Sequence, residues 1–362
     1  MPDVAIIGGG IIGLTSAYHL ARGGASVAVY DRGDFGKEAS WAGAGILPPG
    51  NPDRAAMSID KLRGIGSQRF AAFSAELRDL TGIDNGYRRC GGIEFLTAED
   101  ADVPGVWAAE GISFEHLSAS EARKLEPLGE AEGESYLIPG FAQVRNPWHM
   151  RALVAACAKL GVRLYPNTGA ERFADGALVL ANEERVTAGR YLLAAGAWSA
   201  NLLRAPGVFP VRGQIALLRG ASCSRVLMLG KRYLVPRGDG LTLVGSTEEP
   251  EAGFEKRTTP EGVAELLAFA RRTVPALASA ALEASWAGLR PGSPDGSPFI
   301  GPVPGWDNVF VAAGHFRAGV QLSIGTAQVV CELLTGKPTS VALEAFALDR
   351  KPEANVKSAF RS

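Results

Sequence analysis

The chain has 362 residues, more than a single hydrophobic core usually serves, so it reads as two domains. A net charge of -1, with 46% hydrophobic and 21% charged residues, fits a globular protein and leaves no electrostatic footprint for nucleic acid or an anionic membrane. Cys90, Cys157, Cys223 and Cys331, like His19, His116, His149 and His315, are too scattered for a metal-ligand spacing, so no metal site is expected. Separated, reduced thiols point to a cytoplasmic setting. No apolar stretch approaches the ~20 residues that span a bilayer, and the N-terminus lacks a basic signal-peptide leader.

Val4 to Gly13 reads VAIIGGGIIG, an apolar run that breaks into glycines before a helical pattern. Gly8, Gly10 and Gly13 form G-x-G-x-x-G, and Asp31 ends the next apolar run, SVAVYD. A buried strand, a tight turn and a helix N-terminus make an anion site for a dinucleotide pyrophosphate, with the acid placed for a ribose. Taken alone, this turn accommodates NAD, NADP or FAD. The following helix runs through LTSAYHLARGG and stops at Gly23-Gly24, where Ser26 to Tyr30 becomes a second parallel strand. His19 falls inside that helix as a packing residue.

Residues 37 to 55, KEASWAGAGILPPGNPDRA, are small and glycine-rich around Trp41, which would let a ligand approach the backbone. Pro48 to Pro52 breaks regular structure and reads equally as a mobile lid or a plain surface loop. Residues 57 to 80 form a helix with Leu62, Ile65, Phe70, Phe73 and Leu77 as its buried stripe. Strands of a second domain begin between Tyr87 and Leu96, and SASEARKLEP opens a capped helix. Trp148 to Leu160 is helical and VRLYP is a short strand. YLLAAGAWS is an apolar strand that should lie beside the first, its Ala195-Gly196 passing close to a ligand. Residues 207 to 245 alternate, as in an antiparallel sheet, and a helix covers Gly262 to Val274. NVFVAAGH is a last strand meeting glycine, and the helix from Gly319 would offer a second anion-favouring terminus.

The motifs VAIIGGGIIGLTSAYHLARGG, EASWAGAGIL, YLLAAGAWS, YLVPR, WAGLRPGSPDGSPFIG and AAGHFRAG together resemble the D-amino-acid-oxidase-like family of FAD-dependent amine oxidoreductases. Within it they are most similar to the glycine-oxidase branch of thiamine biosynthesis. The likeness runs from first strand to last helix and is thinnest over residues 99 to 144 and 246 to 285. It implies an α/β fold, with a Rossmann-like FAD-binding domain on a mainly parallel sheet (1–84, 145–204 and 286–362) and an antiparallel-sheet substrate-binding domain (85–144 and 205–285). It implies FAD contacts at Gly8, Gly10, Ile11, Ile12, Gly13, Asp31, Arg32, Ala39, Ser40, Ala44, Gly45, Ile46, Ala170, Ala195 and Gly196. The same holds for His315, Phe316, Arg317, Ala318, Gly319, Val320 and Gln321.

For the substrate, the resemblance implies a carboxylate clamp at Arg290 in GLRP, helped by the Tyr233 hydroxyl in YLVPR, with Arg317 of HFRAG near by. A guanidinium fork suits bidentate recognition of a carboxylate at a partly dry site. The implied chemistry is oxidation of glycine or another small amine or amino acid by hydride transfer from the α-carbon to flavin N5. The imine would hydrolyse to a 2-oxo acid and ammonia, and O2 would be reduced to H2O2. Sarcosine-oxidase-like relatives attach flavin through a cysteine between the substrate arginine and the final glycine turn. None stands there, so the FAD should be non-covalent. Quinone-linked dehydrogenases of D-amino acids or D-proline and hydroxyproline share the RP..PDG..FIG segment, but HFRAG fits the oxidase type better. A non-catalytic FAD-binding protein would have no use for the arginine clamp. A homo-oligomer is a compatible assembly.

Overall fold

The computed structural model describes residues 1–129, 133–174, 176–203, 207–220, 223–351 and 358–360. Its first sheet has six strands in the order Phe299–Pro302, Val309–Ala313, Arg190–Leu193, Val4–Ile7, Val27–Tyr30, Arg163–Tyr165. All neighbours are parallel except the outermost pair, Phe299–Pro302 with Val309–Ala313. Val4–Ile7 is buried along its whole length, as a central parallel strand must be when both faces are covered. YLLAAGAWS does lie beside it, with Val4 opposite Arg190 and Ile7 opposite Leu193.

Four helices cover one face of this sheet: Ile11–Arg22, Ser58–Thr81, Asn146–Lys159 and Gly319–Leu334. In the second of them, Leu62, Ile65, Phe70, Phe73 and Leu77 are all buried, so the 3.6-residue periodicity read from sequence is the periodicity of the core. His19 packs its ring between Tyr18 and Phe73, a structural role. The other face carries a three-stranded sheet, Ala170–Ala174, Ala177–Leu180 and Arg185–Val186, which the sequence periodicity did not separate.

The second large sheet has eight strands, ordered Ala281–Gly292, Phe209–Arg219, Leu241–Gly245, Arg232–Pro236, Val226–Leu229, Gly92–Leu96, Glu134–Ile138, Glu115–Leu117. It is antiparallel except between Val226–Leu229 and Gly92–Leu96, which run parallel. More than a hundred residues separate those two strands, so no hairpin dictates their direction. Ala281–Gly292 belongs entirely to this sheet, and the expected boundary at 285/286 therefore falls inside a strand. The expected boundary at 204/205 lies outside the described residues.

SASEARKLEP forms Ala119–Leu125 behind a reciprocal cap: Ser118 accepts from the Glu121 amide, and Glu121 accepts from the Ser118 amide. The Pro48–Pro52 stretch is fastened from within. The buried Arg63 donates to the Pro49 carbonyl and pairs with Glu110 at 2.8 Å and Asp60 at 3.0 Å, while the Asn51 amide donates to Glu110. The C-terminal Ser358 and Ala359 close this cluster from the other side by donating to Asp60. Among the described residues, no helix is long and apolar enough to cross a membrane.

Candidate functional site

The site grows from the turn after the first strand. Gly8 has φ +110°, and a Cβ there would stand 2.3 Å from the Ala194 carbonyl oxygen of the neighbouring strand. A Cβ on Gly13 would come within 2.0 Å of the Gly8 carbonyl oxygen, so the third glycine sets how closely helix Ile11–Arg22 approaches the turn. That helix has no side-chain cap on its first residue; the Ser40 hydroxyl accepts from the Ile11 amide instead, at 2.9 Å. The Asp31 carboxylate accepts from the Gly9 amide at 2.6 Å and from the Gly33 amide at 2.9 Å. Burial raises its pKa against the pull of those two amides. Arg32 lies over the Trp198 ring, 3.5 Å from its centroid, which places a cation and an indole at the rim.

A continuous cavity of about 570 Å3 opens from this turn, within the range of cofactor and ligand sites. It runs past Asp31 and Arg32, along Ala39, Ser40 and Ala44 to Ile46, past Ala170, Ala195 and Gly196, to His315–Arg317 and Gly319–Gln321. The expected contact residues thus line one space, with two exceptions. Gly13 and Ala318 stand behind the wall and support it rather than face the cavity. Residues 39–42 make a single helical turn. Asn146 donates to the Ser40 carbonyl and the Trp286 indole donates to the Ala42 carbonyl, which hold that turn in place.

The far wall is made by the second sheet. Gly213 leaves the space that the Arg290 guanidinium fills: a Cβ at 213 would fall 2.2 Å from Nη2. Arg290 donates to the Ser246 hydroxyl at 2.5 Å and to the Thr247 carbonyl at 3.2 Å. Burial lowers its pKa, and the adjacent Tyr233 acts in the opposite sense. Among the described residues no carboxylate forms an ion pair with it. Arg317, by contrast, pairs with Glu248, which also accepts from Lys231 at 2.7 Å.

The turn carrying Arg317 is tied to the Arg290 strand, because the Phe316 amide donates to the Pro291 carbonyl at 2.9 Å. Phe316 itself adopts φ +43°, a left-handed backbone uncommon for a non-glycine residue. His315 is buried against the Thr326 hydroxyl at 3.0 Å, and burial depresses its pKa to about 3, so its ring stays neutral at working pH.

Sequence reasoning missed Ser246, Lys231, Glu248, Trp198 and Met228, all in or beside this cavity. Ser246 and Glu248 carry no local motif: they follow strand Leu241–Gly245 and reach the site only through its pairing with Phe209–Arg219 and Arg232–Pro236. Among the described residues, no three His, Cys, Asp or Glu side chains converge as a metal cluster.

Residues 3–333 match the FAD dependent oxidoreductase (DAO) family. A glycine oxidase of Pseudomonas putida is 37% identical, the alignment covering 92% of this chain and 94% of that protein. The bifunctional protein ThiO/ThiG of Synechocystis is 35% identical over 96% of this chain, which spans 54% of that longer protein. The crystal structure of glycine oxidase from Geobacillus kaustophilus superposes with a TM-score of 0.89 at 33% identity, covering 97% of this chain and 99% of that one.

Proposed function

This chain belongs to the FAD dependent oxidoreductase family, and we propose that within it the protein is an oxidase of glycine and related small amines, serving the thiazole branch of thiamine biosynthesis. Its cofactor is FAD. The glycine turn and the amides of helix Ile11–Arg22 suit the pyrophosphate, Asp31 the ribose, and the far arm of the cavity the ring system. When bound, FAD supplies the two-electron acceptor for a C–H bond next to nitrogen and passes the electrons to O2. None of the four cysteines lines the cavity, which supports a cofactor held without a covalent bond.

One observation carries the substrate reading: a guanidinium in the cavity wall, held on Ser246 and Thr247, with no carboxylate among the described residues paired to it. Arginine has five N–H donors, and two serve to fix its plane, so donors remain for a bidentate carboxylate. Tyr233 stands beside it to share that carboxylate. Anchored there, glycine would present its α-carbon and neutral amine to the ring end of the cavity, and orientation is the protein's main contribution to the rate. His315 stays neutral at that end and adds no charge to the reacting centre. The products would be glyoxylate, ammonia and H2O2.

The reading is tested by mixing the yellow protein with glycine, sarcosine, D-alanine or D-proline under anaerobic conditions. Glycine should bleach the flavin, and air should restore the colour within the turnover time. Bleaching followed by slow recolouring would instead assign a dehydrogenase with another acceptor, and no bleaching by any amine would remove the reading. Flavin should appear in the supernatant after acid precipitation.

A further inference from the structure

The four residues after strand Leu241–Gly245 organise two of the arginines that line the cavity, Arg290 and Arg317. Ser246 and the Thr247 carbonyl hold Arg290. Two residues on, Glu248 takes Arg317 and Lys231 together, and both of those cations line the same cavity. Residues 246 and 248 thus both hold cations that line one space. Glu249 points the other way, to Arg212 and the Gln214 amide, and locks the segment to the neighbouring strand. Glu248 is only 22% exposed, so its position is set by its two partners rather than by solvent.

A glycine carboxylate needs one cationic clamp, and Arg290 supplies it. Lys231 and Arg317 are then a second cationic pair lining the same cavity, both held on Glu248, one carboxylate against two positive charges. We propose that Glu248 is a specificity-determining residue: by occupying Arg317 and Lys231 it keeps substrates with a second anionic group out of the cavity. The inference rests on the glycine-oxidase reading above for the reaction, though not for the binding. Selectivity here works by occupation, since Glu248 already takes the Arg317 and Lys231 donors that a second carboxylate would need, and its charge opposes that carboxylate.

The probes are iminodiacetate, which is glycine with a carboxymethyl group on nitrogen, and two ethers that cannot be oxidised at nitrogen. Oxydiacetate carries two carboxylates and methoxyacetate one. In Glu248→Gln holoenzyme, the ratio of kcat/KM for iminodiacetate to that for glycine should rise about tenfold or more, chiefly through KM. Flavin difference spectra should show oxydiacetate tightening by a similar factor relative to methoxyacetate, and adding Arg317→Met should abolish both gains. A ratio within twofold of wild type in flavin-loaded Glu248→Gln overturns the proposal, and so does loss of flavin from both Glu248→Gln and Glu248→Met, which would make the residue structural. If wild-type protein leaves glycine untouched while oxydiacetate still tightens in the variant, the glycine reading fails and the selectivity role stands. If glycine is oxidised but neither ratio moves, the outcome is reversed.

Discussion

The two ends of the cavity are built by different means. At the glycine end the lining comes mostly from glycines and small residues, drawn from the turn at residues 8–12, from 31–32 after the second strand, and from 39–46. At the arginine end they are side chains from separate segments: Tyr233, Ser246, Arg290 and, from the parallel sheet, Arg317. Backbone recognition depends on absent side chains, so its weakness is any added Cβ. Side-chain recognition depends on held charges, so its weakness is any lost partner. On the proposed reading, the first end would decide whether the flavin stays, and the second what it meets.

That division is sharpest at Arg290. Replacing it with Met should lower kcat/KM for glycine by about 10^3-fold, in line with the roughly 2–5 kcal/mol attached to breaking a desolvated charge pair. The affinity for FAD should be unchanged, and flavin content measured beside turnover checks both halves of the statement. Arg290→Lys should recover only part, because an ammonium cannot reproduce a fork held on Ser246 and Thr247. At the other end, Gly13→Val drives a side chain into the Gly8 carbonyl. Overpacking of ~3 kcal/mol on the turn would weaken FAD binding about 100-fold, read by flavin fluorescence on dilution. If Gly13→Val kept its flavin and changed substrate preference, the two ends would not be separable.

The same contrast explains what could be read from the sequence. Gly8, Gly10, Gly13 and Asp31 fall within one short stretch and obey a spacing, and so does the buried stripe from Leu62 to Leu77. Both were legible because local geometry dictates them. Arg290, Tyr233 and Arg317 were reachable only through resemblance of whole motifs, since nothing in their spacing brings them together. Ser246 and Glu248 had neither spacing nor motif. Their place is set by register between Leu241–Gly245 and Phe209–Arg219, where Ile215 faces Gly245, and sequence periodicity does not give strand partners. The Pro48–Pro52 stretch is a similar case: its prolines and glycine said loop, but the buried Arg63–Glu110 pair that fastens it comes from two distant helices.

Acid should separate the two halves as well. His149 is buried against Phe70 and Phe73, accepts from the Asn85 amide, and has its pKa lowered by burial to about 4. The unfolded chain takes up that proton near pH 6.5 and the folded chain only near 4, so stability is full above pH 6.5 and falls as the pH drops through that window. Between pH 7 and 4.5 this one ring should cost about 2.5 kcal/mol, at 1.36 kcal/mol per pKa unit. Urea unfolding of wild type and His149→Leu at both pH values measures it, and the variant should lose correspondingly less. On the substrate side, burial pushes the Glu249 carboxyl up, but hydrogen bonds from Thr247, Gln214 and Arg212 outweigh this and lower its pKa. The stability it lends is present above its unfolded value and lost only as the pH falls toward the lowered one. The helices behind the glycine turn should therefore loosen first, and flavin release should precede loss of the Arg212–Glu249 sheet structure.

The smallest effect tests how the arginine end divides its labour. Tyr233→Phe removes one hydroxyl beside Arg290 and leaves the ring packed in strand Arg232–Pro236. A hydrogen bond to a charged group contributes about 1.5 kcal/mol or somewhat more, so glycine turnover should change by about tenfold. If Tyr233 only shares the carboxylate, the loss appears in KM with kcat near wild type, since the interaction is equal in the ground and transition states. If the hydroxyl also holds the guanidinium plane, kcat falls with it, because a tilted fork misplaces the α-carbon. The ratio of the two losses then measures how far the clamp's orientation depends on tyrosine rather than on Ser246 and Thr247. Steady-state H2O2 formation across a range of glycine concentrations gives both numbers from one variant.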